Sequence, residues 1–149
     1  MAGKTAFILA GGASRGAYQA GCVKRLEEEG IVPDLIIGSS IGVCNSLVYM
    51  SGGAEGLWAF WSKAVSLPRV LTPSLRHNPL LGNSLFSMDG LASMVEQEVD
   101  MQACFDSEVE LTYVVANLSA GREEMRGNRT EPDIERFRTE IVAYGALPG

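Results

Sequence analysis

Apolar runs and glycine-rich breaks alternate twice along the first fifty residues. Thr5 to Ala10 (TAFILA) is a continuous apolar run that stops at Gly11-Gly12. Such a run predicts a buried strand of a parallel sheet. From Ala17 to Glu29 the period changes. Tyr18, Cys22 and Leu26 fall at helical spacing, charges collect at the end and Gly30 follows, which predicts a helix with a glycine stop. Pro33 opens a second apolar run, Leu35 to Gly38, and Ile41 to Met50 reads as an apolar helix closed by Ser51-Gly52-Gly53. Two successive strand–helix units predict an α/β fold, a parallel sheet with crossover helices. Both strands carry glycines at the carboxyl end, the edge of an open α/β sheet where ligands bind.

The rest of the chain extends this pattern. Glu55 to Val65 is helical and carries an apolar and aromatic stripe, Leu57, Trp58, Phe60, Trp61 and Val65. It reads as a core-packing helix, with a lipid-facing role as the alternative. Leu67 to Phe86 holds three prolines and the single histidine, His77, and reads as irregular. Ser87 to Val99 is helical again, and Glu110 to Leu118 (ELTYVVANL) is a third strand. A turn at Ala120-Gly121 and the polar segment Arg122 to Arg129 predict a hairpin with one exposed arm, before a last helix over Asp133 to Tyr144. Met88, Met94 and Met101 read as gap-filling core, with an acyl pocket as the alternative.

Composition narrows the function classes. The 149 residues are 46% hydrophobic, which suits one domain with a core of its own. The net charge is −6 and basic residues are scattered, so no nucleic-acid partner is expected. Three cysteines, Cys22, Cys44 and Cys104, form no CxxC and read as free core thiols in a reducing compartment. The apolar run after Lys4 passes straight into glycines and Arg15, unlike a signal peptide, and Leu35 to Met50 is too broken to span a bilayer. A cytoplasmic location is therefore expected, with export by a route lacking a cleaved signal left open. No residues have metal-ligand spacing, and neither metal nor cofactor is expected.

The two glycine-bearing turns carry the candidate chemistry. Gly11 to Gly21 (GGASRGAYQAG) follows a strand and opens a helix, so its backbone N–H groups suit an anion. One reading is the dinucleotide loop of a short-chain dehydrogenase. Tyr18 stands where its last glycine belongs, and no acidic residue ends the second strand. The other reading is an oxyanion hole. It needs a nucleophile nearby, and Gly38-Ser39-Ser40-Ile41-Gly42 is G-x-S-x-G between a strand and a helix. In that frame Ser40 is the nucleophile and Gly38 and Gly42 form the elbow; a simple serine N-cap is the alternative. In α/β-hydrolase order the histidine comes last, after the acid, and His77 sits in a Pro-flanked irregular stretch, so a Ser-His-Asp triad is not indicated.

GGASRG, then GSSIG, with no triad histidine, together resemble the patatin-like phospholipase family. That family has a GGGxRG oxyanion loop, a GxSxG nucleophile commonly followed by small residues and an Asn, and an aspartate base in a later DG[GA] motif. Gly11, Gly12, Ala13, Ser14, Arg15 and Gly16 match the loop, with Ala13 in place of the third glycine. Ser40 matches the nucleophile and Asn45 the trailing Asn, while Val43 stands where alanine is usual. The resemblance implies an open, mostly parallel sheet flanked by helices, and an acyl hydrolase acting on lipid or phospholipid esters. It implies Ser40 as nucleophile, the Gly11, Gly12 and Ala13 amides as oxyanion hole, and Arg15 and Gly16 as loop support.

The resemblance stops one motif short of the aspartate. The closing helix and Ala146-Leu147-Pro148-Gly149 look like the segment before DG[GA], so the domain is expected to be incomplete at its C-terminus and of low activity alone. The only Asp-Gly is Asp89-Gly90, followed by Leu91, and Asp89 reads as a helix-start residue. Asp34, Asp100, Asp106 and Asp133 have no better claim. A non-catalytic lipid-binding or interaction domain is the alternative function. Transient contact with a membrane surface, and self-association through an uncovered sheet edge, are the expected partnerships.

Overall fold

The computed structural model describes residues 3–66, 72–73, 86–87 and 89–145. His77, Met88 and residues 146–149 lie outside the described residues, as do the side chains of Val65 and Asp89. The elements run β1 (Ala6–Leu9), a 3-10 turn (Ala13–Arg15), α1 (Gly16–Glu28), β2 (Leu35–Gly38), α2 (Ile41–Ser66), β3 (Thr72–Pro73), β4 (Phe86–Ser87), α3 (Asp89–Glu98), α4 (Met101–Asp106), β5 (Glu110–Asn117), β6 (Arg122–Gly127) and α5 (Ile134–Gly145). The main sheet has the order β1-β2-β5-β6. β1, β2 and β5 are parallel, and β6 returns antiparallel as the predicted hairpin arm. β3 and β4 pair separately. This is the predicted α/β architecture, an open and mostly parallel sheet flanked by helices.

Register places Phe7 beside Ile36 and Ile36 beside Leu111, and all three point into one core with Ile41, Val43, Leu47, Leu57, Phe60 and Trp61. The aromatic stripe of the third helical pattern is thus core: Leu57, Phe60 and Trp61 are buried, and only Trp58 is half-exposed, with Lys24 over its ring. Each such buried side chain contributes roughly 1.5–3 kcal/mol. β1 differs from a strand buried on both faces. Phe7 and Leu9 are covered, but Ile8 is 75% exposed. β1 is an edge strand, and among the described residues the face bearing Ile8, Val114 and Met125 is only partly covered.

The far end of the sheet is held by polar contacts. The Asn128 side chain accepts from Leu111 N–H at 2.9 Å and donates to the carbonyls of Cys104 and Val109. The Glu131 carboxylate, almost wholly buried, faces Arg126 at 3.3 Å and Arg136 at 3.6 Å. A buried carboxylate needs such partners, and here they tie α5 to β6. Burial works against the Arg126 charge, but Glu131 and Glu124 outweigh it and raise its pKa.

The expected break at Ser51-Gly52-Gly53 is present: α2 is two helices that meet at a kink. Gly53 has φ 67° and ψ −169°, a conformation open to glycine, after which the helix resumes at Ala54. Gly52 is an exposed helical residue with open space where a Cβ would stand. Urea unfolding should therefore separate two neighbouring substitutions. Gly52→Ala should stabilise by roughly 0.5–1 kcal/mol, whereas Gly53→Ala should destabilise by about 1 kcal/mol or more.

Candidate active site

β1 and β2 end side by side, with Leu9 paired to Gly38. Past this last rung the Ser39 N–H still donates to the Leu9 carbonyl at 3.0 Å. Gly42 packs on that same carbonyl so closely that an added Cβ would overlap it. A Cβ on Gly38 would lie 3.0 Å from the Val43 backbone. Gly42 is thus required by close backbone approach, and at Gly38 a side chain would need Val43 to give way.

Between them Ser40 takes φ 52°, the left-handed region that non-glycine residues rarely occupy. Such a conformation costs on the order of 1–3 kcal/mol and persists only where packing enforces it. The carbonyls of Ser39 and Ser40 accept from Gly42 and Val43 at 2.8 and 2.9 Å and so begin α2. Ser40 is exposed, at a helix N-terminus whose dipole favours negative charge.

The glycine loop lies directly against this turn. An ideal Cβ on Gly11 would stand 3.2 Å from Ser40 Cβ and 3.6 Å from the Ser39 carbonyl oxygen. Ala13, in place of the family's third glycine, has φ 49°. Its methyl group adopts that conformation at a cost of roughly 1 kcal/mol. The Arg15 backbone N–H and its Nε both donate to the Gly12 carbonyl, at 3.1 and 3.4 Å. Gly16 is buried at the crossing of α1 and α2, where a Cβ would stand 2.6 Å from Ile41 and 2.7 Å from Trp61. The fold therefore gathers Gly11, Gly12, Ala13, Arg15, Gly16, Gly38, Ser40 and Gly42 at one place.

Behind the loop lies a polar chain that the sequence pattern did not reveal. Asn45 is fully buried. Its Nδ2 donates to the Gly16 carbonyl at 3.0 Å and to Gln19 Oε1 at 2.9 Å, and its Oδ1 accepts from Trp61 Nε1 at 2.8 Å. Gln19 Nε2 in turn donates to the Ala10 carbonyl at 2.6 Å. The one sequence signal for Gln19 was a glutamine in the first turn of a helix, a position from which side chains reach back toward the preceding residues.

The aspartates with described side chains are engaged elsewhere. Asp34 accepts from Thr5 N–H at the opposite end of β2, Asp100 caps α4, Asp106 meets Gln102, and Asp133 accepts from Arg136 N–H. Burial pushes the Cys44 thiol up, and burial followed by the Asp100 charge pushes Cys104 up to about 12, so neither is a thiolate nucleophile at neutral pH. Among the described residues no His, Cys, Asp and Glu group together as metal ligands.

This arrangement, a glycine loop against a strained serine at a strand–helix turn, agrees with the family comparison. The model of the patatin-like phospholipases matches residues 7–143, and the chain belongs to that family. A triacylglycerol lipase of Arabidopsis thaliana, SDP1L, is 52% identical over 40 residues, 27% of this chain and 5% of the lipase. A lysophospholipase of Aspergillus terreus, nte1, is 50% identical over 42 residues, 28% of this chain and 3% of that protein. The matched stretch is thus a small part of either relative. No solved structure matches the chain. The family sets aside the dehydrogenase reading of the first glycine loop.

Strain at the turn is measurable. Ser40→Gly should be more stable than Ser40→Ala by about 1 kcal/mol in urea unfolding, because only glycine relaxes at φ 52°. Gly42→Ala should cost roughly 3 kcal/mol or prevent folding, since backbone must move to admit it.

Proposed function

We propose that this chain carries the nucleophile and oxyanion hole of a lipid acyl hydrolase working through an acyl-serine intermediate. The observation that carries the reading is Ser40, exposed at φ 52° on the α2 N-terminus with Gly11 packed against it. In the reaction, Ser40 Oγ attacks the ester carbonyl and its proton passes to a carboxylate. The carbonyl oxygen, now negative, is received by loop amides drawn from Gly11, Gly12 and Ala13. One such donor is worth about 3–4 kcal/mol to the transition state. The tetrahedral intermediate collapses, the alcohol leaves with the proton, and water releases the fatty acid from the serine.

We place the proton acceptor on a DG[GA] aspartate outside these 149 residues, with the present domain bringing nucleophile and hole. The substrate class is a glycerolipid ester, in keeping with a triacylglycerol lipase and a lysophospholipase among the relatives. Such a substrate requires transient contact with a lipid surface. The open edge of β1 and the half-covered face beside it are where we expect self-association.

A fluorophosphonate probe tests this reading on the chain and on a longer form that includes a DG[GA] aspartate. The longer form should label, and its Ser40→Ala variant should not. The 149-residue chain should label slower by roughly 10²–10⁴-fold, the contribution of general base catalysis. Silence from a folded longer form would sink the hydrolase reading.

A further inference from the structure

We infer that Gln19 is a positioning residue of the oxyanion hole: it holds the Ala10–Gly11 peptide so that the Gly11 N–H faces Ser40, and Asn45 and Trp61 hold Gln19 in that orientation. The inference rests on Ser40 being the nucleophile.

A trans peptide points its N–H opposite its C=O, and none of the described peptide bonds is cis. The Ala10 carbonyl is held toward α1 by Gln19 Nε2 at 2.6 Å. The Gly11 N–H therefore points in the direction opposite to Gln19, and the Ser39–Ser40 turn is what a Cβ on Gly11 would meet. The next plane but one repeats the device. The Gly12 carbonyl is held by Arg15 N–H and Nε, so the Ala13 N–H points away from Arg15. Gly11 and Ala13 are thereby the two donors whose planes are anchored from behind.

The direction of the Gln19 amide follows from one group that can only donate. The Trp61 indole N–H offers no lone pair. Asn45 must therefore turn Oδ1 toward it, at 2.8 Å, which sends Nδ2 to the Gly16 carbonyl and to Gln19 Oε1. With Oε1 so committed, Gln19 presents Nε2 to Ala10. The chain from Trp61 to Asn45 to Gln19 to Ala10 has one consistent polarity, and both Asn45 donors are used. It joins the second half of α2 to the backbone beside the nucleophile.

Gln19→Glu isolates the last link, because a carboxylate still accepts from Asn45 and no longer donates to Ala10. Gln19→Met removes both contacts while keeping the side-chain length. In whichever protein form labels with the fluorophosphonate, the maximal labelling rate of both variants should fall about tenfold or more, part of the full loss expected for one hole donor. The half-saturating probe concentration should change less than about twofold, the mark of an interaction made only in the transition state. Trp61→Phe should shift the rate in the same direction and by less. Unchanged maximal rates in folded Gln19→Glu and Gln19→Met would overturn the inference.

A second readout does not depend on turnover. The Gly11 amide nitrogen senses the hydrogen bond made by its own peptide carbonyl, so Gln19→Glu should move the Gly11 resonance in a ¹⁵N-labelled chain and leave Gly127, at the far end of the sheet, in place. If no form labels, the hydrolase reading falls and this resonance decides alone: a displaced Gly11 upholds the clamp, and an unmoved one overturns it.

Discussion

The Leu9 carbonyl oxygen, at the end of β1, holds the two halves of the site together. It accepts the Ser39 N–H at 3.0 Å and supports Gly42 in backbone contact. One oxygen thus joins the strand that leads into the glycine loop to the strand that leads into the serine turn. Because α2 begins against it, the helix has no slack in which to drift, and the turn between β2 and α2 must be made in very few residues. Ser40 takes up that tightness as a positive φ. Any side chain at position 42 would lift α2 away from β1 and separate Ser40 from the glycine loop.

The second constraint is the crossing of α1 on α2. Gly16 leaves room for the Ile41, Asn45 and Trp61 side chains of α2, and Asn45 fills the contact with hydrogen bonds rather than hydrocarbon. A buried amide left unpaired costs about 1–3 kcal/mol, so the helix placement that pairs Asn45, Gln19 and Trp61 together is favoured over one that does not. The placement matters to the chemistry because α1 starts where the loop ends. The ion pairs of β6 and α5 have a different task. Glu131, Arg126 and Arg136 anchor the outer hairpin and the last helix to one another, and the charge there is structural.

Strain is concentrated beside these contacts. Among the described residues, the two non-glycine residues with positive φ are Ala13 and Ser40, one in the loop and one in the turn. Each is over-determined by neighbours: Ala13 by the Arg15 bonds to Gly12, Ser40 by the glycines around it. Such pre-organisation suits the proposed oxyanion hole, since donors already in place need not reorganise as charge develops.

Much of this was legible in the residues. Both strand–helix units, the hairpin, the helix break at Ser51-Gly52-Gly53 and the position of the serine turn follow from apolar runs punctuated by glycine, which is local chemistry. What was not legible depended on remote partners. The TAFILA run does not say that β1 lies at an edge with Ile8 exposed, because coverage of a strand is decided by what packs on it. Gln19 reads as an ordinary polar helix residue until Asn45, 26 positions on, is brought against it. Where the backbone turns, and which residues are small enough to let it, can be read along the chain. Which polar groups face one another is set by the packed fold, because those bonds form where helices cross, and no local period encodes a crossing.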